Sequence, residues 1–312
     1  MIKVKSKTKM VERKLNLDIS GKVAELEILT KKVLPKNIFY RVLLGKGLEF
    51  DGYRDYTPAD DASNIDWKAS VRGKKLLTRK YVEERDLKFM FLIDVSDNMV
   101  FGSTEKLKCE YIAELSSSIS HLILGSGDRF GYALYSNELV KFGIPSMGTR
   151  QFDIFVNQVS DPLTYGGVAN LKGVLDILLQ TLDKSISMIF IISDFVNVDE
   201  SYRKNLELLS VLFETVAIIV RDPLDNFLPD VSGEVVISNP GTGERMAINP
   251  KLARGNYEIN AKQQLDSVKQ IFKDSNIDFL ELSTDKTFTL GFVDFLKTRI
   301  VGGRVVKIKN VR

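Results

Sequence analysis

The stretch SMIFIIS (187–193) sets the strongest limit on this chain, because five consecutive apolar residues leave it no polar face. A strand of that kind must be covered on both sides, as in the interior of a parallel sheet. FMFLID (89–94), RFGYALYS (129–136), TVAIIVR (215–221) and DFLELST (278–284) read as further strands. Between them lie segments with apolar residues at helical spacing. In 105–124 these are Leu107, Tyr111, Leu115, Ile119 and Leu122, and similar patterns occupy 150–159, 170–182, 202–213, 261–275 and 288–300. Strands alternating with helices predict an α/β fold, a three-layer doubly wound and mostly parallel sheet over 86–300. EVVISNPGTGERMAIN (234–249) reads as an inserted β-hairpin, turning at its Asn-Pro-Gly-Thr-Gly centre. Residues 22–85 differ: a short helical pattern precedes a polar, turn-rich segment with β signals at Leu48–Tyr53 and Leu76–Val82. They predict a small helix/β lobe.

Charge separates the ends from the body. Residues 1–14 hold six Lys/Arg and one acid, and 297–312 hold six Lys/Arg and none. The net charge of +3 therefore covers a body near −8. We read 1–21 and 301–312 as basic tails; IKVKSK and VVKIKN both alternate and could pair as an edge ribbon. The tails carry no interleaved aromatics, so no nucleic-acid partner is expected. No apolar run reaches the ~18 residues of a membrane span, and no apolar core follows the basic start as in a signal peptide. Cys109 is the single cysteine, so no intrachain disulfide can form. A cytoplasmic protein is the expectation.

The loop DVSDNM (94–99) follows the first interior strand. In open α/β sheets ligands bind beyond the carboxyl ends of strands, where the strand order reverses. Asp94, Ser96 and Asn98 are spaced by two, so their side-chain oxygens can converge on a hard cation such as Mg2+. A second interior strand ends in Ser193 and Asp194, which would face the same crevice. The competing reading has Ser96 and Asn98 capping the turn and the next helix, with Asp94 accepting backbone N–H bonds.

These residues resemble the von Willebrand factor A fold, whose metal-ion-dependent adhesion site has the pattern Asp-x-Ser-x-Ser, a Thr from a later loop and an Asp from another strand. Asp94, Ser96 and Asp194 match; Asn98 stands at the second Ser. The Thr loop reads Gly166-Gly167-Val168-Ala169-Asn170-Leu171, without the Thr, and Thr164 is out of register for it. The resemblance thus implies a weak or vacant Mg2+ site, with Asp97, Gly166, Gly167 and Asn170 on a partner-facing edge.

The preceding segment, GLEFDGYRDYTPADDASNIDWKASVRGKKLLTRKYVEERD, resembles the signature of the domain-of-unknown-function 58 family. It includes Gly47, Phe50, Arg54, Tyr56, Pro58, Asp60, Asp61, Ile65, Asp66, Trp67, Ala69, Arg72, Glu83 and Glu84. Relatives are often encoded beside MoxR-type AAA+ ATPases. The resemblance implies a non-enzymatic adaptor acting with such an ATPase on a client complex. Trp67 would either pack the lobe onto the main sheet or anchor a partner. The alternative is a metal-assisted phosphoesterase or other hydrolase at the Asp94/Asp194 crevice. Against it, there is no phosphate-binding Gly-rich loop with its Lys, and the lone His121 sits within a helical stretch.

Overall fold

The computed structural model describes residues 14–33, 49–57, 65–82, 87–231, 233–238 and 245–301. Both basic ends beyond these, the hairpin centre 239–244, and the signature residues Gly47, Pro58, Asp60, Asp61, Glu83 and Glu84 lie outside them, as does any pairing of the two ends.

The apolar runs form the sheet they predict. β3 (Lys88–Asp94), β4 (Arg129–Tyr135), β5 (Leu139–Ser146), β6 (Met188–Ser193), β7 (Glu214–Arg221) and β10 (Asp278–Ser283) line up in the order β10-β7-β6-β3-β4-β5. Every pairing is parallel except β4 with β5. Period-two alternation divides the strands between two apolar layers. Phe89, Phe91 and Ile93 face one layer with Phe190, Ile192 and Ile218. Met90 and Leu92 face the other with Ile189, Ile191 and Ile219. The first layer is closed by α1 (Ile19–Val33), α3 (Lys108–Gly125), α4 (Thr149–Val159) and α8 (Phe288–Val301). The second is closed by α5 (Leu171–Thr181), α6 (Arg203–Leu212) and α7 (Pro250–Asp274). Each fully buried Leu, Ile, Val or Phe contributes about 1.5–3 kcal/mol relative to exposure, so these two layers dominate the stability.

Three expectations are revised. The helix expected in the small lobe, α1, packs instead on α3 and α8, with Leu26 fully buried in the main core. Glu110 and Glu114 of α3 hold its approach by accepting the Asn16 and Asp18 backbone N–H groups. Edge strand β5 was not expected from the sequence, since Gly143 and Pro145 mask its alternation; Pro is tolerated on an edge strand. Helix α7 starts at Pro250, eleven residues before the pattern suggests, with Asn249 capping it and Pro at its first position.

The remaining small elements are β1 (Glu49–Asp55) and β2 (Leu77–Val82), an antiparallel pair, and α2 (Trp67–Gly73) packed on β2. The inserted hairpin forms as β8 (Val235–Ser238) and β9 (Arg245–Ile248). Among the described residues no helix is long and apolar enough to cross a membrane.

Candidate functional site

The order of strands reverses between β3 and β6, and Asp94 and Asp194 flank that point. Asp94 ends β3 and is 1% exposed. Its Oδ1 accepts the Ser96 N–H at 2.9 Å and its Oδ2 accepts the Ser193 hydroxyl at 2.7 Å. Burial pushes this carboxyl up to about 6 and the charge of Asp194 adds to the shift, while the bonds from Ser96 and Ser193 oppose it. Asp194 directs Oδ1 to the Val196 N–H at 3.1 Å and Oδ2 to an ammonium, Lys108 Nζ, at 2.8 Å.

Lys108 is the feature the sequence did not disclose. It is the first residue of α3 yet only 2% exposed, and its ammonium also meets Asp225 Oδ2 at 3.0 Å. Burial disfavours its charge, but Asp194 and Asp225 outweigh burial and hold the ammonium above its ordinary range. Asp225 responds to burial more than to Lys108, so its carboxyl rises even inside the pair. These two directions pull against each other, and the short contact from a fully buried ammonium decides that the pair is ionised. The ring of Phe101 lies 5.5 Å from the same nitrogen.

Further polar groups lock the surrounding loops. Buried Arg221, at the end of β7, donates from Nε to the Asp194 carbonyl at 3.2 Å and reaches Gln264 on α7. Gln264 in turn donates to the carbonyls of Phe195 and Val196. Phe195 is thereby held at φ 51°, a left-handed conformation a bulky residue adopts only when its surroundings enforce it. Asp222 accepts from Ser103, Leu224 and Thr284, tying three loops together. The motif RDPLD carried a signal for this, an Asp followed by Pro at a strand's carboxyl end.

The other expected residues fall as follows. Ser96 is buried, its side chain caps nothing, and its Oγ has no hydrogen-bond partner at bonding geometry. Asn98 sits half-buried in the 3-10 turn Asp97–Val100. Neither caps α3, whose start is closed by Glu110 accepting the Leu107 N–H. Asp97 and Gly167 exchange two bonds: Asp97 N–H to the Gly167 carbonyl at 2.8 Å, and Gly167 N–H to Asp97 Oδ2 at 3.2 Å. Gly167 needs to be glycine there, because its φ is +83° and a Cβ would lie 2.8 Å from Asn137 Oδ1. Gly166 N–H bonds the Val95 carbonyl, and Asn170 caps α5 through Gly173 N–H. Thr164 is turned inward, its hydroxyl on the Gln158 carbonyl. Trp67 takes no part in this network; it stands at the start of α2 and is 65% exposed. It therefore does not pack the lobe onto the sheet.

Between Asp94, Asp194, Tyr135, Phe195 and Tyr202 lies a crevice with room for about one water molecule. The Tyr135 hydroxyl lining it is buried without a bonded partner, and burial, with Asp94 next, holds that phenol well above its ordinary range. Val168 and Val196, each next in sequence to a residue lining the crevice (Ala169 and Phe195), stand exposed, as do Leu163 on the turn after α4 and Phe227 on the loop after β7. The donors fit a divalent cation poorly. Asp194 already gives Oδ2 to the Lys108 ammonium, and among the described residues no three His, Cys, Asp or Glu side chains form a group that could hold a metal.

The family model described as "Protein of unknown function DUF58" matches residues 52–267. "Uncharacterized protein Rv1480" of Mycobacterium tuberculosis is 27% identical over 259 residues, covering 82% of this chain and 80% of that protein. "Uncharacterized protein Mb1516" of Mycobacterium bovis matches to the same extent. Among solved structures, conserved hypothetical protein BatB from Bacteroides thetaiotaomicron is 11% identical with a TM-score of 0.45, over 69% of this chain and 99% of that one. A von Willebrand factor type A protein from Catenulispora acidiphila is 10% identical with a TM-score of 0.32, over 46% of this chain and 35% of that one.

Proposed function

The chain belongs to the DUF58 family, and from that premise we propose that it is a non-enzymatic protein-interaction module that docks its partner on the carboxyl edge of the sheet. The observation that carries this reading is the apolar rim. Val168 and Val196 are exposed next in sequence to Ala169 and Phe195, which line a crevice with room for about one water molecule; Leu163 is exposed on the same loop as Val168, and Phe227 two residues past Asp225. An interface core is apolar and lies within a polar rim, and these exposed apolar side chains can supply one. Val168 stands in the loop where the adhesion-site pattern calls for a Thr, so an apolar contact replaces an ion ligand at the rim.

The signature segment suggests the class of partner, a MoxR-type AAA+ ATPase acting with it on a client complex. Trp67 offers that partner a second contact, since exposed Trp residues are favoured interface anchors. The crevice carries at most a weak Mg2+ position in this reading. The purified chain should co-elute with the MoxR-type ATPase of its own organism, and Leu163→Asp with Val168→Asp should abolish co-elution while leaving the melting temperature unchanged. Co-elution that survives both substitutions would move the docking face elsewhere. Mg2+-dependent turnover of p-nitrophenyl phosphate, lost in Asp94→Asn, would replace this reading with the hydrolase.

A further inference from the structure

We infer that Lys108 is the resident cation of the Asp194 carboxylate, a tethered ammonium that supplies the positive charge a divalent ion would otherwise bring, so that this edge works without metal. The ammonium is buried, 2.8 Å from Asp194 and 3.0 Å from Asp225. It thus answers two carboxylates at the switch point of the sheet with a charge that cannot diffuse away. Asp194, the carboxylate a metal would share with Asp94, already gives Oδ2 to this lysine and Oδ1 to a backbone N–H. A second cation at Asp194 would lie within a few ångströms of a buried positive charge, where repulsion is screened far less than in water. Ser96 Oγ and the Tyr135 hydroxyl still favour an ion, both being buried and without a bonded partner. Neutral hydroxyls alone do not hold Mg2+, which is bound through one or two carboxylates with retained waters, and the carboxylate it would share here already faces an ammonium.

The tether is also well defined mechanically. Lys108 starts α3, and its N–H bonds the Phe101 carbonyl, closing the loop that carries Ser103 onto Asp222. The ammonium's position is therefore set by the loop 101–107, which Ser103 fixes onto Asp222. This inference does not depend on which partner docks at the rim.

The test is a Mn2+ titration of the full chain read by electron paramagnetic resonance, with melting temperatures measured in parallel. The wild-type protein should bind no Mn2+ at millimolar concentration and show no shift in melting temperature. Lys108→Met should gain one Mn2+ site and a Mn2+-dependent rise in melting temperature, and Asp194→Asn in that background should remove both. Lys108→Gln, which keeps a neutral hydrogen-bonding group between the two carboxylates, provides a second variant should the Met protein fail to fold. Mn2+ binding by the wild-type protein that Asp94→Asn abolishes would overturn the inference. So would a folded Lys108 variant that gains no site.

Discussion

The carboxyl edge of the main sheet and the arm formed by β1, α2 and β2 are the two regions whose sequences stand out, and they use their salient residues in opposite ways. At the edge, Asp94, Ser193, Asp194, Asp222 and Arg221 are buried and bonded to one another's loops. In the arm, Trp67 is 65% exposed, and Val71, one turn further on the same helix, is more exposed still. Residues four apart on a helix share a face, so the two make one apolar strip. That strip is carried by a well-anchored helix. Asp66 caps α2 by accepting the Lys68 and Ala69 N–H groups, and Ser70 accepts the Leu77 N–H of β2. The comparison teaches that motif residues in one chain can be buried to shape loops in one place and left exposed in another, and burial tells which.

The largest expected effect breaks the edge. Lys108→Ala leaves Asp194 and Asp225 buried without their cation and should cost roughly 3–5 kcal/mol, measured by urea unfolding at neutral pH. The second effect has the opposite sign. Asp94 has a native pKa of about 6, above the ~3.9 of an unfolded Asp. Between those values the native state binds more protons than the unfolded one, so this group's contribution to stability grows as pH falls through that window. Above it, the charged form is a full penalty. Asp94→Asn should therefore raise stability by roughly 2–3 kcal/mol near neutral pH, with the gain vanishing below about pH 4. A gain that persists unchanged at acid pH would show that the stabilisation has another source.

Smaller effects sharpen the contrast. Asn170→Ala removes the cap of α5 and should cost about 1 kcal/mol, with little change in partner capture if its role is to hold the rim. Trp67→Ala should alter stability by no more than ~0.5 kcal/mol, as expected for an exposed site. It should nevertheless weaken partner binding at least tenfold, measured by biolayer interferometry. A large loss of stability from that change would place Trp67 with the edge residues and erase the distinction between the two regions.

Local patterns made most of the fold legible. The interior strands and their helices follow from apolar runs and helical spacing, each a property of neighbouring residues. The hairpin insertion followed from its turn residues. β5 did not, because an edge strand with Gly143 and Pro145 lacks the apolar run that marks an interior one. Of the candidate site, Asp94 and Asp194 could be placed together because strand ends at a switch point must converge. Asn170 and Gly167 looked like a partner edge, and only the bonds to Gly173 and Asp97 show how much of each is used within the fold.

The amino-acid sequence by itself determined the layers, the position of the crevice and the family, because these depend on periodicity and on a gapless local signature. The tertiary structure alone decided which cation Asp194 holds close. Lys108 reads locally as an ordinary charged residue at a helix start, and its partner Asp194 lies 86 positions away. Whether such a charge meets water or a carboxylate depends on where two distant strand ends and a helix start come together in space, and no pattern among adjacent residues records that.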